Sequence, residues 1–542
     1  MRFKVFAVVA FVPFWLMACG GGSGGGTTAP VTPLPAWTVT PAAMTAAPDV
    51  TLPSSAVFTA ASNVFQDPVY IQAVDPQNVV YLLQSSRRVD GGGYQLTLAT
   101  SKRLAVGRYT GSVELRFCPV SDCAQQHPGS PQRVPYDITV VNPYQTPPLS
   151  RIPGLPDWET HQGNAAHTGY VPVSLDAAKF TTRWRWQRFD GRSMGAPVVA
   201  NDKVFVTTAN AFLHHTLQAI KEADGTLAWE YANYFLTTAP AVSNGAVYFA
   251  KASSFSDGFL WAINASDGSL RFRTAGSTSQ AATGGQAPTI MAGRVYVNSA
   301  LDGASAATGG TQSFDATTGS LAWARSWDDA YRFQAGTPAL DAQFSYTVWE
   351  SFQGNQRSRK VYALDAATGA IAKVTDLGGV GPTSDPVPVL ASNGRLLVSD
   401  GQTLRLVQPL SGSILWTLET SSYAVEPVVA GDTVFVANGL RKQLEARNLN
   451  TGDLLWAWPI DAALDQFFFS NMVVTDSHVF VSTRRATYAI DRNTHRPAAW
   501  SYPMAGAKAI SANGILYIAT AADTLPGFNP INDGGLTAIN LR

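Results

Sequence analysis

Between Tyr109 and Phe117 apolar side chains alternate with Thr110, Ser112, Glu114 and Arg116, the two-residue period of a half-buried strand. Val134, Tyr136, Ile138 and Val140 repeat it. Shorter runs around Val57, Tyr70 to Ala73, Val79 to Leu83 and Tyr94 to Leu98 are separated by turn clusters such as Asp90-Gly91-Gly92-Gly93. About seven short strands over residues 37–142 predict a small immunoglobulin-like β-sandwich. Residues 143–156, PYQTPPLSRIPGLP, form a proline-rich, semi-rigid linker.

From residue 157 onward the pattern is a repeat. Ala223-Asp224-Gly225-Thr226-Leu227-Ala228-Trp229 recurs at 266–272, 317–323, 367–371, 410–416 and 450–456, and in degenerate form at 491–500 with His495 in place of Gly. The spacing of about 40 to 50 residues is that of one propeller blade. The Gly supplies the positive φ of a bulged hairpin, and Asn264, Asp315, Asp365 or Asn448, four places earlier, can accept hydrogen bonds from the turn's amides. The Trp is a packing residue of the outer strand.

Each repeat also begins alike. Ala196, Ala239, Ala287, Thr337, Asp385 and Glu426 each precede a Pro and then a β-branched or aromatic run, and Asn471 and Lys508 complete eight copies. The eighth ends at Thr537-Ala538-Ile539-Asn540 without its Trp-bearing strand, which is found instead at Thr182-Arg183-Trp184-Arg185-Trp186. The fold class is therefore all-β: an N-terminal immunoglobulin-like sandwich, then an eight-bladed β-propeller over 157–542 with N/C-terminal strand closure. Closure removes exposed sheet edges, so the ring is expected to be monomeric.

The first residues differ in kind. Arg2 and Lys4 precede an apolar run from Val5 to Met17 that ends Leu16-Met17-Ala18-Cys19. The run is too short to span a bilayer but suits a signal peptide. The tetrapeptide resembles a lipobox, which implies a lipoprotein signal peptide at 1–18 and lipidation of Cys19. Gly20, where an Asp is absent, resembles outer-membrane sorting. Residues 19–36, rich in Gly, Ser and Pro, make a tether spanning about 20 to 25 Å as a coil; their G-x-S-x-G match at Gly21–Gly25 lacks the strand and helix of a nucleophile elbow.

Composition narrows the function. With 38 basic against 38 acidic residues and 14% charged, nothing steers the chain towards nucleic acid. Of three cysteines only Cys118 and Cys123 follow Cys19. A disulfide between them would contribute roughly 2 kcal/mol, whereas a metal site with His127 lacks a fourth ligand. His214-His215 would point to opposite faces of a strand, and a turn or surface place is expected for them.

The unit A-x-D-x-x-T-G-x-x-x-W, clearest at Ser313 to Trp323, resembles the repeat of pyrroloquinoline-quinone (PQQ) type propellers, and the lead-in Trp158-Glu159-Thr160-His161-Gln162-Gly163-Asn164-Ala165-Ala166-His167-Thr168-Gly169 is similar to that of the superfamily. The resemblance implies either a quinoprotein dehydrogenase or a non-enzymatic member such as the propeller lipoprotein of the outer-membrane β-barrel assembly machinery. Quinoprotein dehydrogenases of this fold hold PQQ against a vicinal Cys-Cys ring and bind Ca²⁺ through Glu and Asn or Asp. Here the propeller has no cysteine. The expected function is a lipid-anchored, non-catalytic scaffold without cofactor or metal, facing the periplasm from the outer membrane and binding envelope proteins. The alternative is a PQQ/Ca-dependent or small-ligand-binding enzyme. Its candidate channel site is Asp385, Glu426, Asn471 and Lys508, four polar positions facing a small-residue half.

Overall fold

The computed structural model describes residues 36–46, 54–63, 68–87, 93–101, 104, 106–142, 144–187, 193–209, 215–233, 238–250, 260–274, 281–282, 287–301, 308–331, 336–353, 356–379, 387–399, 402–420, 425–460, 468–483, 486–520 and 534–542. Cys19 and Asp385 lie outside them. Among the described residues there is no α-helix, and no helix long and apolar enough to cross a membrane. The chain divides into two compact units, the second beginning at Val141 apart from residues 49–53.

In the first unit one sheet runs in the order Trp37–Thr40, Ser55–Ser62, Gly93–Thr100, Val80–Arg87, and the other Met44–Ala46, Gln132–Val140, Gly107–Cys118, Tyr70–Val74. Alternation puts Phe58, Leu96, Leu98, Leu115, Phe117 and Ile138 in the core. Trp37 stacks on Phe117 with ring centroids 3.9 Å apart. Trp37–Thr40 and Met44–Ala46 are too short to show a period, and the sequence reading missed them. Cys118 and Cys123 form a disulfide, and His127 Nε2 lies 2.8 Å from the carbonyl of Pro68.

The second unit is a β-propeller. Its described strands form eight antiparallel sheets of four or five strands, one of them joined by the parallel strand Tyr170–Val171. The short first strands touch in succession: Val198–Ala200 meets Ala241–Ser243, then come Thr289–Met291, Ala339–Leu340 and Val389–Leu390. Further along, Val428–Ala430 meets Phe468–Thr475, which meets Ala507–Ile510, and this last touches Val198–Ala200. The outer strand of the final sheet is Thr181–Gln187, paired antiparallel with Gly535–Asn540.

The repeat signature joins neighbouring sheets at Gly225, Gly268, Gly319, Gly369 and Gly452, each against an aromatic ring of the sheet before. Gly369 has φ +71°, and a Cβ there would fall 2.6 Å from the Trp323 ring of the preceding sheet. The indole N–H groups of Trp184, Trp229, Trp323 and Trp416 donate to carbonyls of Glu222, Ala265, Ala366 and Leu449 in the following sheet. In the degenerate copy His495, at φ 59°, stacks on Trp456 at 4.7 Å. The Asp315 carboxylate accepts from the amides of Thr317 and Thr318, and Asp365 from those of Ala367 and Thr368. The Thr368 hydroxyl with these amides holds Asp365 below its ordinary range, and the Thr318 amide and hydroxyl with the Thr317 amide do so for Asp315. Asn264 departs from this: its Oδ1 accepts from Arg271 Nε and its Nδ2 donates to Ser269, while Asp267 caps the Ser269 amide. His215 is a second departure. It is 3% exposed and lies in His215–Lys221 between two paired strands, buried and not at a surface; His214 lies outside the described residues.

Candidate functional site

The lead-in has no apolar period because its bonding partners are far away in sequence. Asp157 Oδ1 accepts from the Ala512 amide at 2.9 Å. The carbonyls of Trp158 and Glu159 accept from Val199 and Val242 at 2.8 and 2.7 Å, and Thr160 Oγ1 donates to the Pro288 carbonyl at 2.8 Å. The carbonyls of Ala165, Ala166, Thr168 and Gly169 accept from the amides of Leu340, Leu390, Val429 and Val474 at 2.8 to 2.9 Å. One short segment thus bonds to all eight sheets, visiting them in chain order from the last to the seventh.

Tight turns permit this path. Gln162 and His167 take φ 51° and 58°. Asn164 Oδ1 accepts from the amides of Ala166 and Thr168. The His167 ring is fully buried, with Nδ1 3.0 Å from the Pro388 carbonyl and Nε2 3.1 Å from Thr289 Oγ1. Burial holds it well below the ordinary histidine value, so it is neutral. Thr337, one of the eight first-strand positions, is bonded to Thr289 at 2.9 Å and belongs to this packed layer.

Beside the lead-in is a cavity of about 220 Å³. Ala196, Ala239 and Ala287 form its small apolar wall; Glu426, Ser470, Asn471 and Lys508 are polar, and the lead-in adds Trp158, Thr160, His161 and Gln162. Glu426, Asn471 and Lys508 therefore share one cavity, while Asp385 lies outside the described residues. The contributions of the lead-in and Ser470 were missed from sequence. The nearest signal was the concentration of His, Gln and Asn in a segment that fitted neither strand nor repeat.

Glu426 Oε1 is 3.6 Å from His161 Nε2, beyond hydrogen-bond reach. Their side chains are 18% and 12% exposed, enough to be met from the cavity and too little to be solvated freely. Burial pushes the Glu426 carboxyl up to about 7 and the His161 ring down to about 4. Lys508, 1% exposed, donates from Nζ to Ser482 Oγ at 2.8 Å and the Gly506 carbonyl at 2.9 Å, and burial lowers it to about 7. Asn471 is tied to the Lys508 backbone through both amide atoms, at 2.9 and 2.7 Å. Among the described residues no group of three or more His, Cys, Asp or Glu could hold a metal ion.

The profile of the family described as outer membrane protein assembly factor BamB matches residues 171–254, 236–347 and 307–542. No curated protein matches the chain. Solved structures do. A europium-containing methanol dehydrogenase is similar over 71% of this chain and 98% of its own, at 12% identity and TM-score 0.53. A quinohemoprotein alcohol dehydrogenase from Comamonas testosteroni is similar over 71% and 80%, at 14% identity and TM-score 0.54. BamB from Moraxella catarrhalis is similar over 67% and 99%, at 16% identity and TM-score 0.47.

Proposed function

The chain belongs to the family of the outer membrane protein assembly factor BamB, and on that premise we propose that it is a lipid-anchored, non-catalytic scaffold of the bacterial envelope. In this reading residues 1–18 are removed, Cys19 carries the lipid, and residues 19–36 tether an immunoglobulin-like sandwich at 37–142. The linker 143–156 then leads to a monomeric, eight-bladed propeller at 157–542. The whole faces the periplasm from the outer membrane and binds envelope proteins during outer-membrane protein assembly.

The observation that carries the reading is the course of the lead-in. It bonds to every sheet and leaves about 220 Å³ beside it, less than the roughly 300 Å³ at which pockets for drug-sized ligands begin. PQQ, a fused-ring quinone with three carboxylates, suits that space poorly. Among the described residues the cavity brings one carboxyl and one amine, and no cysteine follows Cys123. The dehydrogenase alternative rests on likeness of fold to two enzymes at 12% and 14% identity, which does not extend to chemistry.

In-cell crosslinking of the full chain followed by mass spectrometry tests the proposal. Adducts with outer-membrane assembly components are expected, and Cys19→Ser should release the protein from the membrane fraction and reduce them. Titration with PQQ and Ca²⁺ tests the alternative: a quinone absorbance band together with dye reduction would overturn the non-catalytic reading.

A further inference from the structure

The cavity beside the lead-in brings a carboxyl and an amine, Glu426 and Lys508, to one space, and the unpartnered atoms of the lead-in lie buried behind its lining. Gln162 is 2% exposed, yet neither Nε2 nor Oε1 has a partner, and His161 Nε2 has none either. As an ammonium Lys508 has three N–H groups, of which two are taken by Ser482 and Gly506. Buried groups left in this condition are ordinarily met by water or by a ligand. About 220 Å³ would hold roughly seven waters at about 30 Å³ each, or one small organic molecule.

The lining selects among ligands. A lone cation at Glu426 shares the cavity with the Lys508 amine, and a lone anion at Lys508 shares it with the Glu426 carboxyl. A molecule with both charges meets both groups. The apolar part of the lining, Ala196, Ala239 and Ala287 with Pro197 and Pro240 beside them, suits a short apolar side chain. We propose that this cavity binds a small zwitterion of the α-amino-acid class. Its ammonium is received by Glu426, its carboxylate by Lys508, and its side chain lies against the apolar wall. The site is independent of the scaffold reading, so its failure would leave that reading standing.

Calorimetric titration of the full chain with L-alanine, L-valine and L-leucine tests it, with isoamylamine and 4-methylpentanoate as the two half-ligands of leucine. One-to-one binding of at least one amino acid is expected; if that is leucine, it should bind about tenfold or more tighter than either half-ligand. Glu426→Gln, which keeps the size of the side chain and removes its charge, should weaken binding by about tenfold or more. Ala239→Leu should fill the cavity and abolish it, with circular dichroism unchanged. No binding by any of the three amino acids, the amine binding as well as leucine, or binding indifferent to both substitutions would overturn the proposal.

Discussion

At Gly369 two demands coincide: φ is +71° and the space where a Cβ would stand belongs to Trp323, whereas at Gly293 φ is +74° and nothing lies within 4 Å. Gly369→Ala should therefore cost about 2 to 4 kcal/mol, backbone strain plus overpacking, and Gly293→Ala about 1 kcal/mol. Urea midpoints of the two variants would show this, and equal losses would refute the interlock between sheets. Lys508 sets a second test. Its buried amine is lowered from 10.5 to about 7. Between those values the unfolded chain keeps a proton that the folded chain has released, so this group makes stability rise with pH. Lys508→Met should flatten the rise between pH 7 and 9 relative to the unsubstituted chain; parallel profiles would show that the amine titrates normally.

At the scale of the element, the strand Thr181–Gln187 closes the last sheet although most of the propeller separates it from its partner Gly535–Asn540. Trp184, 3% exposed, lies 5.7 Å from Tyr517 and donates to the Glu222 carbonyl at 2.8 Å. Trp184→Ala should cost about 3 to 5 kcal/mol and expose the edge, read as a lower melting temperature with aggregation; a neutral result would show that closure does not depend on this side chain. The strand was legible because its Trp matches a repeat position vacant at the other end of the chain. Most strands were legible from period and turn residues, since both are local. The lead-in was not: its partners lie about 40 to 350 residues away, and only the assembled sheets tell it where to bend. For the same reason Glu426, Asn471 and Lys508 could be aligned from their repeat positions, while His161 and Gln162, which belong to no repeat, could not.

At the scale of the whole molecule, scarcity of charge follows from stacked sheets. Val, Ala, Trp and Gly occupy the faces and turns that must pack, and 38 positive and 38 negative side chains are left to cancel. The exposed apolar residues recur at one place in the repeat: Leu227, Leu270, Leu321, Ile371, Ile414 and Leu454 each stand two residues past the turn glycine or its equivalent, 43% to 55% exposed. Residues 157–542 carry 28 basic and 31 acidic side chains, and a surface this close to balance has little long-range attraction to lose when salt screens charge. If the scaffold reading holds, a partner captured by crosslinking should also be retained without crosslinker, and raising salt from 0.05 to 0.5 M, illustrative values on the order of those that screen surface charge, should weaken its binding less than about tenfold. A loss of about a hundredfold or more would point to an electrostatic contact and to a part of the chain other than this propeller surface.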